Sequence, residues 1–261
     1  MRKIGILCLL VLLSCKQKNN TKELSLMPEA PAWGALWQQR AAEYRALSYQ
    51  AYNSARLSLD ELLKSSTDKP FAIVTDIDET VLDNSPYYVH QAQQGGNYTD
   101  SSWVEWTKQV ACDTVPGAPS FFQYAASKGV TVFYVTNRIL QDEQQTLANL
   151  QQYGFPHADK EHLLLLEDTS SKEKRRNSVA DNFNIIMLLG DNLGDFSAIF
   201  NNNSMEERRE WVEKSRLDFG KRFIVLPNHM YGNWEEAFYR DKKALSFADS
   251  NTVLNSLMRS Y

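Results

Sequence analysis

The sequence predicts an α/β domain in which a parallel β-sheet carries helices on both faces. Five apolar runs of strand length show no clean alternation of polar and apolar side chains, which is typical of strands buried on both faces. These runs lie at residues 71–75, 130–136, 162–166, 185–189 and 222–226. Segments of helical length, such as 140–153 and 171–183, separate several of them. Strands that alternate with helices in this way favour parallel βαβ units.

Composition and charge exclude several other classes of protein. Of the 261 residues, 43% are hydrophobic and 23% are charged, which are the proportions of a globular protein and not of a disordered or collagen-like one. The formal net charge of −4 argues against a dominant nucleic-acid-binding surface. The histidines lack the spacing of a zinc site. No histidine lies near Cys112 in the sequence, so we expect a small packing residue there.

The N-terminus predicts a secreted lipoprotein. The basic residues Arg2 and Lys3 precede an apolar stretch at 4–13, which is shorter than the roughly 20 residues that span a membrane, so a signal peptide fits better. The stretch ends in Leu-Ser-Cys, which resembles a bacterial lipobox and implies cleavage before Cys15 and lipidation of that residue. An ordinary signal peptide that contains a cysteine is the alternative. We therefore expect a signal peptide at 1–14, a lipidated tether at 15–29, and a location in the bacterial cell envelope, at the outer membrane.

Two regions are predicted to add helices to the 30–261 domain. Residues 31–63 have apolar side chains at spacings of three and four, which predicts one long helix that begins near Pro31. Residues 84–116 interrupt the alternation of strands and helices and are rich in Tyr, Trp, Gln and Gly. We expect them to form an insertion over the sheet edge, with the role of a lid or a substrate-shaping segment. Together, regions 30–65 and 84–116 would form a small second domain.

Charged and hydroxyl side chains follow four of the predicted strands. They occur at 76–80, 136–138, 170–172 and 190–195. Because ligands of an open parallel sheet bind outside the carboxyl ends of its strands, we expect these segments to meet in one site. Each segment alone could be a helix cap or a turn, but their joint occurrence in order predicts a functional site.

This set of residues is suited to phosphoryl transfer. Asp76 and Asp191, with a backbone carbonyl from Asp78, would supply the hard oxygen ligands that Mg²⁺ prefers. Lys172 and the metal would neutralise charge around the transferring group, and Thr136 would hold a phosphate oxygen. One carboxylate could then attack phosphorus, while the other moves protons to the leaving group and from water.

The motifs resemble those of the haloacid dehalogenase (HAD) superfamily of phosphatases. The longer runs at 76–84, 115–118, 135–138, 190–196 and 227–235 resemble the class C acid phosphatases of the lipoprotein e family. This resemblance implies a HAD-like Rossmannoid sheet and a catalytic pair formed by Asp76 as nucleophile and Asp78 as general acid and base. The metal ligands it implies are Asp76, Asp78, Asp191 and Asp195. The phosphate-binding residues it implies are Thr136, Asn137 and Lys172, with Lys174 as the alternative lysine.

The same resemblance implies a substrate class. Such enzymes use Mg²⁺ to hydrolyse phosphomonoesters, including nucleoside 5′-monophosphates and nicotinamide mononucleotide, and stack the base between aromatic rings. Trp103 and Tyr231 are in the expected positions, and Trp106 competes with Trp103. The expected partners are a small phosphomonoester and, through the lipid, the membrane, with no nucleic acid; a homodimer stays possible. A phosphotransferase or a non-catalytic phosphate-binding lipoprotein is the alternative, although the presence of both Asp76 and Asp78 argues against the latter.

Overall fold

The computed structural model describes residues 23–201, 203–239 and 245–260. The predicted signal peptide and Cys15 lie outside these residues. The strands are β1 (Phe71–Thr75), β2 (Leu82–Asp83), β3 (Asp113–Thr114), β4 (Thr131–Val135), β5 (Leu163–Leu164), β6 (Asn184–Gly190) and β7 (Phe223–Val225). The helices are α1 (Ala30–Arg40), α2 (Ala42–Leu62), α3 (Ser85–Gln93), α4 (Asp100–Thr107), α5 (Ala118–Ser127), α6 (Glu143–Gln152), α7 (Glu173–Ala180), α8 (Met205–Lys214), α9 (Asn233–Glu236) and α10 (Phe247–Leu257).

The main sheet has five parallel strands in the order β5-β4-β1-β6-β7, which confirms the predicted fold class. Strand β1 lies in the middle and is buried from Ala72 to Thr75, as its uninterrupted apolar sequence predicts. Its bounds match the predicted run residue for residue. Strand β5 keeps only two residues of its predicted run, at one edge of the sheet, where it has a single neighbour in the order.

The prediction of one long N-terminal helix is wrong, because the chain breaks at Ala41. The ψ angle of Ala41 is 128°, an extended conformation, and it separates α1 from α2. Helix α1 packs against α3 and comes so close to the 229–230 backbone that a Cβ on Gly34 would lie 2.8 Å from the carbonyl oxygen of His229. Helix α2 instead packs against α5 and the β6–β7 side of the sheet. Helices α1 and α2 therefore pack against different elements of the fold.

The insertion at 84–116 contains α3 and α4 and returns through β3, which pairs antiparallel with β2. Tyr88, Tyr98 and Trp103 from this insertion line a cavity at the carboxyl ends of the parallel strands. Cys112 is buried in the main core, as expected of a packing residue. Among the described residues, no helix combines the length and the apolar character that crossing a membrane requires.

Candidate active site

A cavity of about 1150 Å³ opens at the carboxyl ends of β1, β4 and β6. Nearly all of the site residues predicted from the sequence line it, whereas Thr136 is fully buried and does not. The lining includes Asp76, Asp78, Trp103, Asn137, Lys172, Asp191, Asp195 and Tyr231. Two parts of the cavity differ in character. We call Asp76, Asp78, Lys172, Asp191 and Asp195 the carboxylate floor, and Tyr88, Tyr98, Trp103 and Tyr231 the aromatic wall.

Three carboxylates of the floor converge. One ligand oxygen from each of Asp76, Asp191 and Asp195 lies within 4.8 Å of the other two. Asp76 directly follows β1, and its N–H donates to the Leu189 carbonyl of β6 at 2.9 Å, which extends the parallel pairing by one residue. Asp195 folds back over β6, where a Cβ on Gly190 would lie 2.2 Å from its Oδ2. The absence of a side chain at position 190 therefore leaves the space that Asp195 occupies.

Lys172 is buried between two of these carboxylates. Its ammonium donates to Asp76 and, at 2.6 Å, to Asp195. Lys174, the alternative phosphate-site lysine, is exposed and pairs with Glu167 at 2.9 Å. Burial alone would lower the pKa of Lys172, but the carboxylates of Asp195 and Asp76 raise it, so the side chain is held as a cation. The geometry thus places Lys172, and not Lys174, at the floor.

The donor set fits a hard divalent cation. Burial raises the pKa of Asp76 to about 7, with a further rise from the charges of Asp195 and Asp78, although Lys172 opposes it. Burial and the same kind of repulsion also raise the pKa of Asp191. Crowded carboxylate oxygens of this kind are the ligands that Mg²⁺ and similar ions prefer, and a cation among them would offset their mutual repulsion.

Asp78 lies outside this group of three carboxylates, and a hydrogen-bond network that the sequence reasoning missed holds it. Arg138 Nη2 donates to Asp78 Oδ1 at 2.7 Å, and Arg138 Nε donates to the same oxygen at 3.0 Å. Asn84 Nδ2 also donates to Oδ1, at 2.9 Å. Thr136 Oγ1 lies 3.5 Å from Asp78 Oδ2 and is fully buried. Arg138 stands in the predicted 136–138 motif, but its partner is 60 residues away, and sequence spacing gives no signal for that contact.

Asn137 and Asp191 are fixed by further side chains. Arg175 Nη2 donates to Asn137 Oδ1 at 2.7 Å, so Asn137 lines the cavity with its amide oxygen already engaged. Asp191 Oδ2 accepts from Asn228 Nδ2 at 2.8 Å and from Asn192 Nδ2 at 2.9 Å. The floor is therefore orientated by amides and guanidinium groups that surround it.

The aromatic wall combines cavity-facing and packing surfaces. Tyr231 stacks on Tyr88, with ring centroids 4.8 Å apart and planes 17° from parallel. Its hydroxyl donates to Glu79 Oε2 at 2.6 Å. Burial is the main cause that raises the pKa of Glu79 to about 8. Because Tyr88 already covers one face of Tyr231, a planar ligand would find only the other face. Tyr88 and Glu79 were not singled out from the sequence.

The two tryptophans predicted as alternatives occupy different places. Trp103 lines the cavity, is 7% exposed, and packs edge-on against Tyr87 with centroids 5.0 Å apart. Trp106 is half-buried, and its Nε1 donates to Asn84 Oδ1 at 2.9 Å. Trp103 is thus the one of the two that faces the cavity, although much of its surface belongs to the core.

The fold and the floor define a phosphoryl-transfer site of HAD type, with carboxylates two residues apart after β1, a lysine before α7 and carboxylates after β6. The chain matches the family model described as HAD superfamily, subfamily IIIB (acid phosphatase), over residues 8–234. The chain belongs to this acid phosphatase family.

The chain is also similar to solved structures and to curated proteins. The class C acid phosphatase from Bacillus anthracis is similar with a TM-score of 0.85 and 39% identity, over 88% of this chain and 97% of that chain. A structure of the same enzyme with tungstate bound gives the same values. Acid phosphatase 1 of Solanum lycopersicum is 28% identical over 60% of this chain and 57% of its own length, and the stem 28 kDa glycoprotein of Glycine max is 25% identical over 60% and 62%. The match thus spans about three fifths of these curated relatives.

Proposed function

We propose that the protein is a Mg²⁺-dependent acid phosphatase that hydrolyses phosphomonoesters through a phosphorylated Asp76. The observation that carries this proposal is the convergence of Asp76, Asp191 and Asp195 around the buried Lys172 at the carboxyl edge of the sheet. Asp76, Asp191 and Asp195 would hold the metal, together with the backbone carbonyl of Asp78. When bound, the cation would supply positive charge that stabilises the developing charge on the phosphoryl oxygens.

The chain's own residues account for both halves of the reaction. An oxygen of Asp76 attacks phosphorus, the bond from phosphorus to the ester oxygen breaks, and Asp78 gives its proton to that oxygen. Asp78 then takes a proton from water, the water oxygen attacks phosphorus, and the bond between Asp76 and phosphorus breaks. Lys172 keeps its positive charge throughout and offsets the negative charge of the phosphoryl group. Thr136 and Asn137 complete the phosphate site.

The substrates that we propose are nucleoside 5′-monophosphates and nicotinamide mononucleotide, among other phosphomonoesters. The support is the aromatic wall, which lies beside the floor in the same cavity and presents Trp103 and Tyr231. In proteins that bind single-stranded nucleic acids, stacking of a base on an aromatic ring contributes roughly 1–3 kcal/mol to the binding free energy. The floor would act on the phosphoryl group, which all phosphomonoesters share, so selectivity for a planar base would come from the wall.

A metal-depletion assay tests the function. Treat the purified protein with a chelator and measure phosphate release from a nucleoside 5′-monophosphate, nicotinamide mononucleotide and glycerol phosphate before and after Mg²⁺ is restored. We expect activity on all three substrates to disappear with the metal and to return with Mg²⁺. Full activity in the chelator would overturn the metal dependence. Transfer of the phosphoryl group to an added alcohol, in place of water, would identify a phosphotransferase instead.

We further propose that Cys15 carries lipid and anchors the protein to the outer membrane of a bacterial cell. The short apolar stretch followed by Leu-Ser-Cys supports this proposal, and two or more acyl chains give stable anchoring where one chain does not. Replace Cys15→Ser in the full chain and fractionate the cells. The variant should leave the membrane fraction; a variant that sediments with membranes as firmly as the wild type would contradict lipidation.

A further inference from the structure

Trp106 contacts the catalytic network from outside the cavity. It lies on α4 of the insertion, and its indole N–H donates to Asn84 Oδ1 at 2.9 Å. Asn84 in turn donates through Nδ2 to Asp78 Oδ1 at 2.9 Å. A chain of two hydrogen bonds therefore connects the insertion to the carboxylate that would move protons.

The environment of Asn84 fixes which end of its amide faces Asp78. The side chain is fully buried, and its oxygen accepts from Trp106, from the Cys112 thiol at 3.2 Å, and from Arg138 at 3.4 Å. An amide has one accepting oxygen and one donating NH₂ group, so donors that converge on the oxygen leave the NH₂ group to face the carboxylate. Without the Trp106 donor, the oxygen end of the amide loses the shortest of these contacts.

We propose that Trp106 is a positioning residue for proton transfer and acts on Asp78 through Asn84. This inference rests on the proposed function, in which Asp78 protonates the leaving group. It assigns the second tryptophan of the insertion a role that differs from base stacking. The insertion would then serve both parts of the site: Trp103 lines the cavity, and Trp106 orientates the floor.

The role makes a specific kinetic prediction, because esters differ in their need for a proton. An alkoxide is a poor leaving group and depends on the general acid, whereas p-nitrophenolate leaves readily without it. The value of kcat/KM reports the steps up to formation of the phosphorylated enzyme, so it isolates protonation of the leaving group from the later attack by water. A misplaced Asp78 should therefore lower kcat/KM more for glycerol phosphate than for p-nitrophenyl phosphate.

The variant to measure is Trp106→Phe, which removes the N–H donor and keeps an aromatic ring. We expect kcat/KM for glycerol phosphate to fall about tenfold, the scale of one well-placed hydrogen bond, with a much smaller fall for p-nitrophenyl phosphate. Trp33→Phe is the matched control, since Trp33 is 76% exposed on α1 and does not line the cavity. We expect it to change kcat/KM for neither ester. If Trp106→Phe only lowered the stability of the fold, kcat/KM would fall by the same factor for both esters.

A double-mutant cycle with Asp78→Asn completes the test. If Trp106 acts through Asp78, Trp106→Phe should not lower kcat/KM for glycerol phosphate any further in a protein that already carries Asp78→Asn. Equal losses on both esters, or losses that add in the double variant, would overturn the inference. If Trp106→Phe does not fold, Asn84→Ala interrupts the same chain and is measured in the same cycle. Wild-type activity in Asp78→Asn itself would instead overturn the proposed mechanism, so the two failures are distinguishable.

Discussion

The carboxylate floor and the aromatic wall face the same cavity, but they are built in different ways. The floor comes from residues at or near strand ends, which a parallel sheet brings to one edge. The wall comes from the insertion and from the loop after β7, and three of its rings, Tyr88, Trp103 and Tyr231, also pack in a small core with Ala35 and Met230. The difference teaches that the placement of the floor depends on the sheet, whereas the proposed selection of substrate would depend on residues that also have to pack.

The largest effect should come from the nucleophile of the floor. Asp76→Asn keeps nearly the same shape but cannot form the acyl phosphate, so we expect kcat to fall by on the order of 10⁴-fold or more for every ester. Circular dichroism and the melting temperature serve as controls that the fold is retained. A rate within tenfold of the wild type would show that the floor does not work through Asp76.

A pair of lysines gives a matched test of burial within the floor. Lys172→Gln removes the cation that contacts Asp76 and Asp195, so we expect kcat/KM to fall by roughly 10²- to 10³-fold on all substrates. Lys174→Gln removes only exposed ion pairs with Glu167 and Asp168, which water screens, and should keep its activity. Steady-state kinetics on both variants decide between them, and a larger loss in Lys174→Gln would reverse the assignment.

The wall should show a smaller effect that depends on the substrate. Tyr231→Ala should lower kcat/KM for a nucleoside 5′-monophosphate by roughly 10- to 100-fold, with much less change for glycerol phosphate, because only the nucleotide has a ring to stack. Tyr231→Phe keeps the ring and removes the hydroxyl that donates to Glu79, so it separates stacking from hydrogen bonding. Equal losses of Tyr231→Ala on the two substrates would assign the ring to packing.

Trp103 should sharpen the same comparison, since it is the more deeply packed ring. We expect Trp103→Ala to reduce nucleotide selectivity by a factor no larger than that of Tyr231→Ala. We also expect a loss of about 3–5 kcal/mol in the free energy of unfolding, which is the usual cost of removing a large aromatic side chain from a core. Denaturant unfolding and kinetics on both esters measure the two effects separately. An unchanged free energy of unfolding in Trp103→Ala would contradict the packing role that the contacts of Trp103 indicate.

The sequence predicts the floor better than the wall for a physical reason. Strand β1 is a continuous apolar run that ends in Asp76, and both features are local. The break at Ala41 has no such signal, since the apolar spacing continues across it and neither Pro nor Gly marks it. Arg138 and Tyr88 were missed because their contacts with Asp78 and Tyr231 join segments that only the folded chain brings together.

The central claim, covalent catalysis by Asp76, is tested most directly by trapping the intermediate. In Asp78→Asn, p-nitrophenyl phosphate should still phosphorylate Asp76, because its leaving group needs no acid, while attack by water lacks its base. Acid quenching within the first turnover, digestion and mass spectrometry would then locate the phosphoryl group. The account predicts a burst of p-nitrophenolate and a phosphorylated peptide whose modified residue is Asp76. Steady release of phosphate with no phosphopeptide, or a phosphoryl group on another residue, would contradict it.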